Sequence, residues 1–138
     1  MKRLDDIFIV LKVNMAIHTS LVTKLCTVLT DTSCTTPIFF ARTPNETSII
    51  MSATKYDEIG LSLETGVLLQ NDWICFMVIG PMPFDLVGIL AKISNVLADA
   101  SISLLAQSTY DTDYIFINHR YESAAKKALI SAGIDFLP

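Results

Sequence analysis

Residues 102–118 read ISLLAQSTYDTDYIFIN, and this stretch decides the fold of the chain. Segments 102–106 and 114–117 are apolar except for Ser103, so they predict two buried strands. Between them lies the segment QSTYDTD, whose Ser, Thr and Asp side chains form local hydrogen bonds and favour a turn. The stretch therefore predicts a β-hairpin.

The segments that flank this hairpin complete a domain. Residues 73–79 predict a strand that ends at Gly80 and Pro81, and residues 85–100 predict a helix. The apolar residues of that helix recur at the helical spacing i, i+4, i+7, i+11: Leu86, Leu90, Ile93 and Leu97. After the hairpin, residues 121–132 predict a second helix that is stopped by Gly133, and residues 134–137 predict a short last strand. This order is the split βαβ plan, an antiparallel sheet with both helices on one face.

The first half of the chain repeats this order of elements. Its predicted strands are residues 7–13, 38–42, 47–52 and part of 61–69, and its predicted helices are residues 20–29 and 53–59. The repeat lies in the order of elements, and no residue-by-residue match is convincing. A boundary near residues 70–72 divides the chain into two α+β units, 1–70 and 71–138, with antiparallel sheets.

Composition and charge exclude several classes of function. The chain is 51% hydrophobic, yet no apolar run approaches the roughly 18–20 residues that span a bilayer, so the apolar excess predicts buried surface, some of it between subunits. The net charge is −4 without a cluster of Lys or Arg, which argues against nucleic acid. The start MKRLDDIFIVLKV lacks a signal peptide, and three cysteines suit a reducing compartment, so a cytoplasmic protein is expected.

Catalytic and cofactor chemistry have little support in the sequence. His18 and His119 lie in different halves, and Cys26, Cys34 and Cys75 lack the spacing of a zinc site. We expect these cysteines to be free core thiols. No glycine-rich phosphate loop occurs, so neither an enzyme nor a bound cofactor is predicted.

Several residues near the hairpin are candidates for binding, and each also has a structural reading. Asp85 is predicted to cap the helix at 85–100, and the free N–H groups that follow it attract a carboxylate or simply start a capped helix. Gly88 allows a ligand to approach the backbone closely. Ser103 donates to a ligand or to backbone, Asp113 pairs with a cation or closes the turn, and Tyr110 lies against a ligand or packs on the hairpin.

The second half resembles the ACT domain, a βαββαβ module that binds amino acids and regulates metabolic enzymes. The segments FFARTPNETSIIMS and SISLLAQSTYDTDYIFI resemble the CASTOR family of cytosolic arginine sensors and small two-ACT proteins related to it. Ser-Thr-Tyr-x-Thr-Asp also resembles the regulatory ACT domains of aspartate kinases. The resemblance implies two tandem ACT-like, ferredoxin-like units. Sensors of the CASTOR type carry four such domains, so a chain with two implies a homodimer.

The resemblance also implies a ligand site between two ACT domains placed side by side. One side of the site would be formed by Ser103 and Leu104. The other side would be formed by the start of the helix and the hairpin, namely Phe84, Asp85, Gly88, Thr109, Tyr110 and Asp113. All of these residues lie in one half, so a symmetric dimer would present two equivalent sites.

Two functions from different classes follow. The first is a cytosolic amino-acid sensor, for arginine or another amino acid, that acts as a regulatory homodimer without membrane insertion. The second is an interaction or scaffold subunit of the same fold that holds no ligand and belongs to a signalling or metabolic complex.

Overall fold

The computed structural model describes residues 1–13, 19–60, 67–80 and 87–137. Four helices, seven strands and one short 3₁₀ turn occur in these residues. In chain order they are β1 (Lys2–Arg3), β2 (Phe8–Val13), α1 (Thr19–Leu29), β3 (Phe39–Arg42), β4 (Thr47–Ser52), α2 (Ala53–Glu58), β5 (Val67–Met77), α3 (Ile89–Asp99), β6 (Leu104–Ser108), β7 (Asp113–Asn118), the 3₁₀ turn (His119–Tyr121) and α4 (Glu122–Ser131). No helix within the described residues is both long and apolar enough to cross a bilayer.

The chain divides into two compact units. The first unit is Asp6–Asn71, and the second unit is Asp72–Pro138 together with Met1–Asp5. The first five residues therefore lie with the second half of the chain, which differs from a division into 1–70 and 71–138. Strand β5 crosses the division, where Asp72 has a φ of 63°. Asp tolerates this left-handed conformation better than most residues because its short side chain forms local hydrogen bonds.

The second unit contains an antiparallel sheet in the order β1-β5-β7-β6. Adjacent residues of its two central strands are all fully buried: Ile74, Cys75, Phe76, Ile115, Phe116 and Ile117. Because successive strand residues point to opposite faces, both faces of these strands are covered. Helix α3 contacts α4, and its buried residues are Ile93 and Leu97, two of the four that the helical spacing predicts. Of the other two, Leu90 is half-buried, and Leu86 lies outside the described residues.

The prediction of a final strand at residues 134–137 is wrong. The N-terminal strand β1 lies beside β5, with Lys2 opposite Met77 and Arg3 opposite Phe76. The segment at 134–137 is not a strand, although the N–H of Leu137 donates to the Met1 carbonyl at 2.8 Å. A distant segment of the chain thus takes the hydrogen bonds that a strand following α4 would otherwise form, and no local pattern reveals such a competitor.

The first unit contains the antiparallel order β3-β4-β2. Its core is a cluster from β2 and β4: Ile9, Leu11, Val13, Ile49 and Met51. Val67 and Leu69, at the start of β5, pack against this cluster. The side chain of Ser52 caps α2 by accepting from the N–H of Lys55 at 3.2 Å, so a polar residue ends β4 and begins the helix.

The cysteines only partly match the expectation of core thiols. Cys75 is buried, and its burial raises the pKa of the thiol to about 12, so this thiol is unreactive at neutral pH. Cys26 is instead exposed and Cys34 is half-buried. Three free thiols thus occupy three different environments.

Candidate functional site

The hairpin that joins β6 to β7 is held by hydrogen bonds within its own turn. The N–H of Thr109 donates to the carbonyl of Thr112 at 2.8 Å, and the Thr109 hydroxyl donates to the same carbonyl at 3.0 Å. Ser108 lies opposite Asp113, and its hydroxyl donates to Oδ1 of Asp113 at 2.5 Å. Asp113 therefore closes the turn, which is the structural role that its position allows, and one carboxylate oxygen is used in doing so.

The hairpin is also fixed to the end of β5. The Thr112 hydroxyl donates to the carbonyl of Val78, and the N–H of Val78 donates to the carbonyl of Asp113 at 2.8 Å. Thr112 is 8% exposed, and a buried hydroxyl has little access to water. Its hydrogen bond to the Val78 carbonyl therefore satisfies a donor that would otherwise be unpaired. As a result, the Ser-Thr hairpin has a fixed position relative to the end of β5.

Helix α3 begins later than predicted. Its N-cap is Gly88 and its first residue is Ile89, so the prediction of Asp85 as the N-cap is wrong. Gly88 has a φ of 89°, a conformation that glycine adopts without strain, and it makes no side-chain cap. A Cβ at this position would meet no atom of the described residues within 4 Å. Phe84 and Asp85 lie outside the described residues.

Ser103 and Leu104 lie at the other end of β6. Ser103 is exposed and precedes the strand, and Leu104 is its first residue, half-buried and opposite Ile117. Ser108 lies at the far end of the same strand, five residues and roughly 17 Å from Ser103 at about 3.3 Å per residue. Within one chain, then, the structure brings together Thr109 and Asp113 on one hairpin but leaves Ser103 apart from them. Tyr110 is 79% exposed at the tip of the hairpin.

The described residues contain no cluster of side chains suited to a metal ion. No group of three His, Cys, Asp or Glu side chains could hold a metal ion there. His119 is exposed and lies 3.6 Å from Glu122, and His18 falls outside the described residues.

Sequence reasoning missed two features of the first unit. Its β3–β4 turn is built like the turn of the second unit, because the N–H of Thr43 donates to the Glu46 carbonyl at 2.9 Å and the Thr43 hydroxyl donates to it at 3.3 Å. Thr43 and Thr109 thus occupy equivalent positions in their turns, a structural likeness that does not extend to the identity of the other turn residues. The second feature is a polar cleft beside α2. The run DTSCTTP at residues 31–37 was the available signal for it.

Comparison with known proteins identifies the fold. Residues 68–131 match the family model of the ACT domain. No curated protein matches the chain. The structural matches that follow are each less than 25% identical to this chain, and with the family model they show an α+β fold of the ACT-like, ferredoxin-like type with antiparallel sheets.

Protein Atu0741 from Agobacterium tumefaciens is 22% identical with a TM-score of 0.74, over 99% of this chain and 90% of that one. The ligand-free regulatory subunit of aspartate kinase from Thermus thermophilus is 14% identical with a TM-score of 0.65, over 92% and 93%. Aspartate kinase from Clostridium acetobutylicum, an allosteric enzyme, is 13% identical with a TM-score of 0.65, over 92% of this chain and 32% of that one.

Proposed function

We propose that this chain is a small-molecule-binding regulatory protein that senses a free amino acid, arginine or another, in the cytoplasm as a homodimer. The observation that carries the proposal is the ACT match over residues 68–131, which includes the hairpin and the start of α3. The likeness to a regulatory subunit and to part of an allosteric kinase supports regulation rather than catalysis.

The start of α3 suits the carboxylate of an amino acid. A helix of 11 residues leaves its first N–H groups without helical partners, and these groups attract anions. Gly88 lacks a side chain that would keep a ligand from those groups. The ligand carboxylate would therefore bind at this helix start.

Asp113 suits a cationic side chain. Its Oδ1 accepts from Ser108, which fixes the orientation of the carboxylate, and its Oδ2 accepts no hydrogen bond from the described residues. A carboxylate oriented in this way forms a charge-assisted hydrogen bond without first losing side-chain freedom.

A second copy of the chain would complete the site. Strand β6 has β7 as a neighbour on one side and ends the order of strands in its sheet. Its residues 104–107 are half-buried, and an open edge of this kind pairs readily with another strand. Ser103 and Leu104 of the partner copy would then close the pocket. Light scattering should find a dimer at micromolar concentration, whereas a monomer would contradict this part of the proposal.

The test of the ligand begins with a thermal-shift screen of the twenty amino acids, because a ligand that binds only the folded state raises its apparent stability. Calorimetry of Asp113→Asn follows. The amide oxygen still accepts from Ser108, so folding is preserved while the charge is lost. Affinity for arginine or lysine should fall roughly 10- to 150-fold, which corresponds to about 1.5–3 kcal/mol.

Asp111→Asn is the matched control, since Asp111 is exposed in the same turn and lies outside the proposed site. Its affinity should equal that of the unmodified protein. Equal affinities in both variants would remove Asp113 from the site.

The rival function is an interaction or scaffold subunit without a ligand. Two apolar side chains near the proposed site favour it, because Val87 is 86% exposed and Tyr110 is 79% exposed. If these side chains form one contiguous apolar patch, that patch would mark a surface that binds another protein. If none of the twenty amino acids shifts the melting temperature, this function replaces amino-acid sensing.

A further inference from the structure

The first unit contains a polar cleft of about 210 Å³ beside α2. Five hydroxyl side chains line it: Ser33, Thr35, Thr36, Ser52 and Thr54. Three ionisable side chains, Asp6, Lys55 and Glu58, and the thiol of Cys34 complete the lining. A volume of this size holds about seven water molecules at roughly 30 Å³ each, so only a small molecule fits.

The cleft lies at the opposite end of its unit from the hairpin turn. Phe8 pairs with Ser52 at the cleft end of β2 and β4, and Val13 pairs with Thr47 at the hairpin end. Five residues separate the two ends, which corresponds to about 17 Å of strand. The cleft is therefore separate from any site built on the hairpin of this unit.

An extended loop in the first unit forms one wall of the cleft. Nine residues, 30–38, connect α1 to β3, whereas four residues, 100–103, connect α3 to β6 in the second unit. Connections from a helix to a strand usually have about 2–6 residues, so the loop of the first unit is long. Its additional residues are mostly Ser, Thr and Cys, which provide hydrogen-bonding groups rather than apolar packing.

An ion pair fixes this loop to α2. The Lys55 ammonium donates to Oδ2 of Asp31 at 2.5 Å and to Glu58 at 3.1 Å. Oδ1 of Asp31 accepts from the N–H of Ser33 at 2.9 Å. The positive charge of Lys55 is thus already neutralised by two carboxylates.

The remaining charge in the cleft is negative. Asp6 is half-buried and has no ion pair or side-chain hydrogen bond with the described residues. An anion entering the cleft would face the carboxylates of Asp6 and Glu58, while the lysine of the lining, Lys55, is already paired, and like charges at such distances repel. A cation would instead meet an unpaired carboxylate and hydroxyl groups that accept hydrogen bonds.

We propose that this cleft is a second binding site, which takes a small organic cation that carries a primary ammonium and a hydrogen-bonding group, such as an amino alcohol or a short diamine. The ammonium pairs with Asp6. The hydroxyls of Thr35 and Thr54, both exposed in the lining, form hydrogen bonds with the rest of the ligand. The site depends on the first unit alone and does not require the amino-acid site of the second unit.

The cysteines provide an internal test. Ethanolamine and putrescine serve as probes, inorganic phosphate serves as the anionic comparison, and ionic strength is held constant. Alkylation by iodoacetamide is followed at each cysteine by mass spectrometry. We expect both amines to slow alkylation of Cys34 in the cleft and to leave Cys26, exposed on α1, unchanged. Phosphate should protect neither thiol.

Variants test the role of Asp6 by calorimetry with the same amines. Asp6→Asn should weaken binding roughly 10- to 150-fold, which is the effect of losing a charge-assisted hydrogen bond. Asp57→Asn is the matched control, since Asp57 is exposed on α2 and does not line the cleft. If Asp6→Asn fails to fold, Glu58→Gln takes its place. This variant should also weaken amine binding, by a smaller factor. Asp113→Asn should leave amine binding unchanged, which separates this site from the amino-acid site.

Three results would overturn the proposal. The first is the absence of both Cys34 protection and amide chemical-shift changes at residues 33–36 with either amine. The second is equal amine affinity in Asp6→Asn and Asp57→Asn. The third is protection of Cys34 by phosphate, which would show that the cleft prefers an anion.

Discussion

The two hairpin turns share one construction but are anchored differently. In both turns, the hydroxyl of the threonine at the first position donates a hydrogen bond to the backbone carbonyl of the residue at the fourth position. These pairs are Thr43 with Glu46 and Thr109 with Thr112. In the first unit, the fourth residue forms an ion pair, from Glu46 to Lys12 at 2.9 Å, whose side chains are 38% and 50% exposed. In the second unit the fourth residue is buried Thr112, which bonds the carbonyl of Val78.

This difference separates turn formation from turn anchoring. The hydrogen bonds of the two threonines join residues within the same turn, so the sequence of the turn alone can produce them. The anchoring contact of each turn is made with a neighbouring strand. In the second unit the residue that makes this contact, Thr112, is buried, whereas in the first unit the Glu46–Lys12 pair is exposed. A buried hydrogen bond is costly to lose, whereas an exposed ion pair contributes little. The second hairpin should therefore be the more firmly held of the two.

The largest expected effect concerns the strands that follow the two turns. Phe116 in β7 and Ile50 in β4 follow their turns at equivalent positions and are 0% and 3% exposed. Phe116→Ala should lower the free energy of unfolding by about 3–5 kcal/mol because it leaves a cavity. Ile50→Val should lower it by only about 0.5–1.5 kcal/mol. Urea denaturation of both variants measures these losses. If Phe116→Ala lowered the free energy of unfolding by less than Ile50→Val does, the core of the second unit would be loosely packed.

The next effect tests the anchors themselves. Thr112→Val keeps the shape of the side chain but removes its hydroxyl, which leaves the carbonyl of Val78 without this donor. The free energy of unfolding should fall by about 1–3 kcal/mol. Glu46→Gln at the equivalent position should cost about 0–1 kcal/mol. If denaturant titrations gave equal losses of the free energy of unfolding for Thr112→Val and Glu46→Gln, the two contacts would hold their turns equally well.

A smaller effect distinguishes the units by pH. Hydrogen bonds from Lys55 and then Ser33 lower the pKa of Asp31 to about 2 from an ordinary value of 3.8. Because the folded pKa is the lower one, the ion pair stabilises the protein fully above pH 4, and this contribution is lost as the pH falls towards 2. The equivalent loop of the second unit has no such pair among the described residues.

Asp31→Asn should remove this part of the pH dependence. Amide hydrogen exchange at residues 31–36 should be faster in the variant at neutral pH, and the two proteins should converge near pH 2. The amides of the second unit serve as the internal reference. Unchanged exchange at residues 31–36 at neutral pH would mean that the pair does not order the loop.

Local patterns predicted most of the fold. The helical spacing of Ile93 and Leu97 and the apolar residues 114–117 correspond to α3 and β7. The strand predicted at 134–137 failed because β1 lies beside β5, and sequence periodicity carries no information about such distant competition. The start of α3 was misplaced because Asp85 is a good capping residue, whereas the helix begins after Gly88.

The candidate site could be predicted only in part. Thr109 and Asp113 were identifiable because a polar turn between two apolar strands has a recognisable composition. The composition of residues 31–37 indicates a polar loop, but the wall that this loop forms also depends on the pairing of Asp31 with Lys55, which are 24 residues apart and share no local pattern. The shared construction of the two turns could not be predicted either. Glu46 and Thr112 accept the threonine hydrogen bond through their backbone carbonyls, so their different side chains give no sign of the likeness.

The N-terminal strand has a consequence for the order of folding. The amine of Met1 donates to the carbonyl of Asp135, a contact between residues 134 positions apart, and Lys2 pairs with Met77. The first unit is a continuous segment, whereas the second must join pieces that the first unit separates. Closing such long loops before other contacts form is slow, because the entropic cost precedes the gain. We therefore expect the first unit to form early and the second unit to complete last, when β1 pairs with β5.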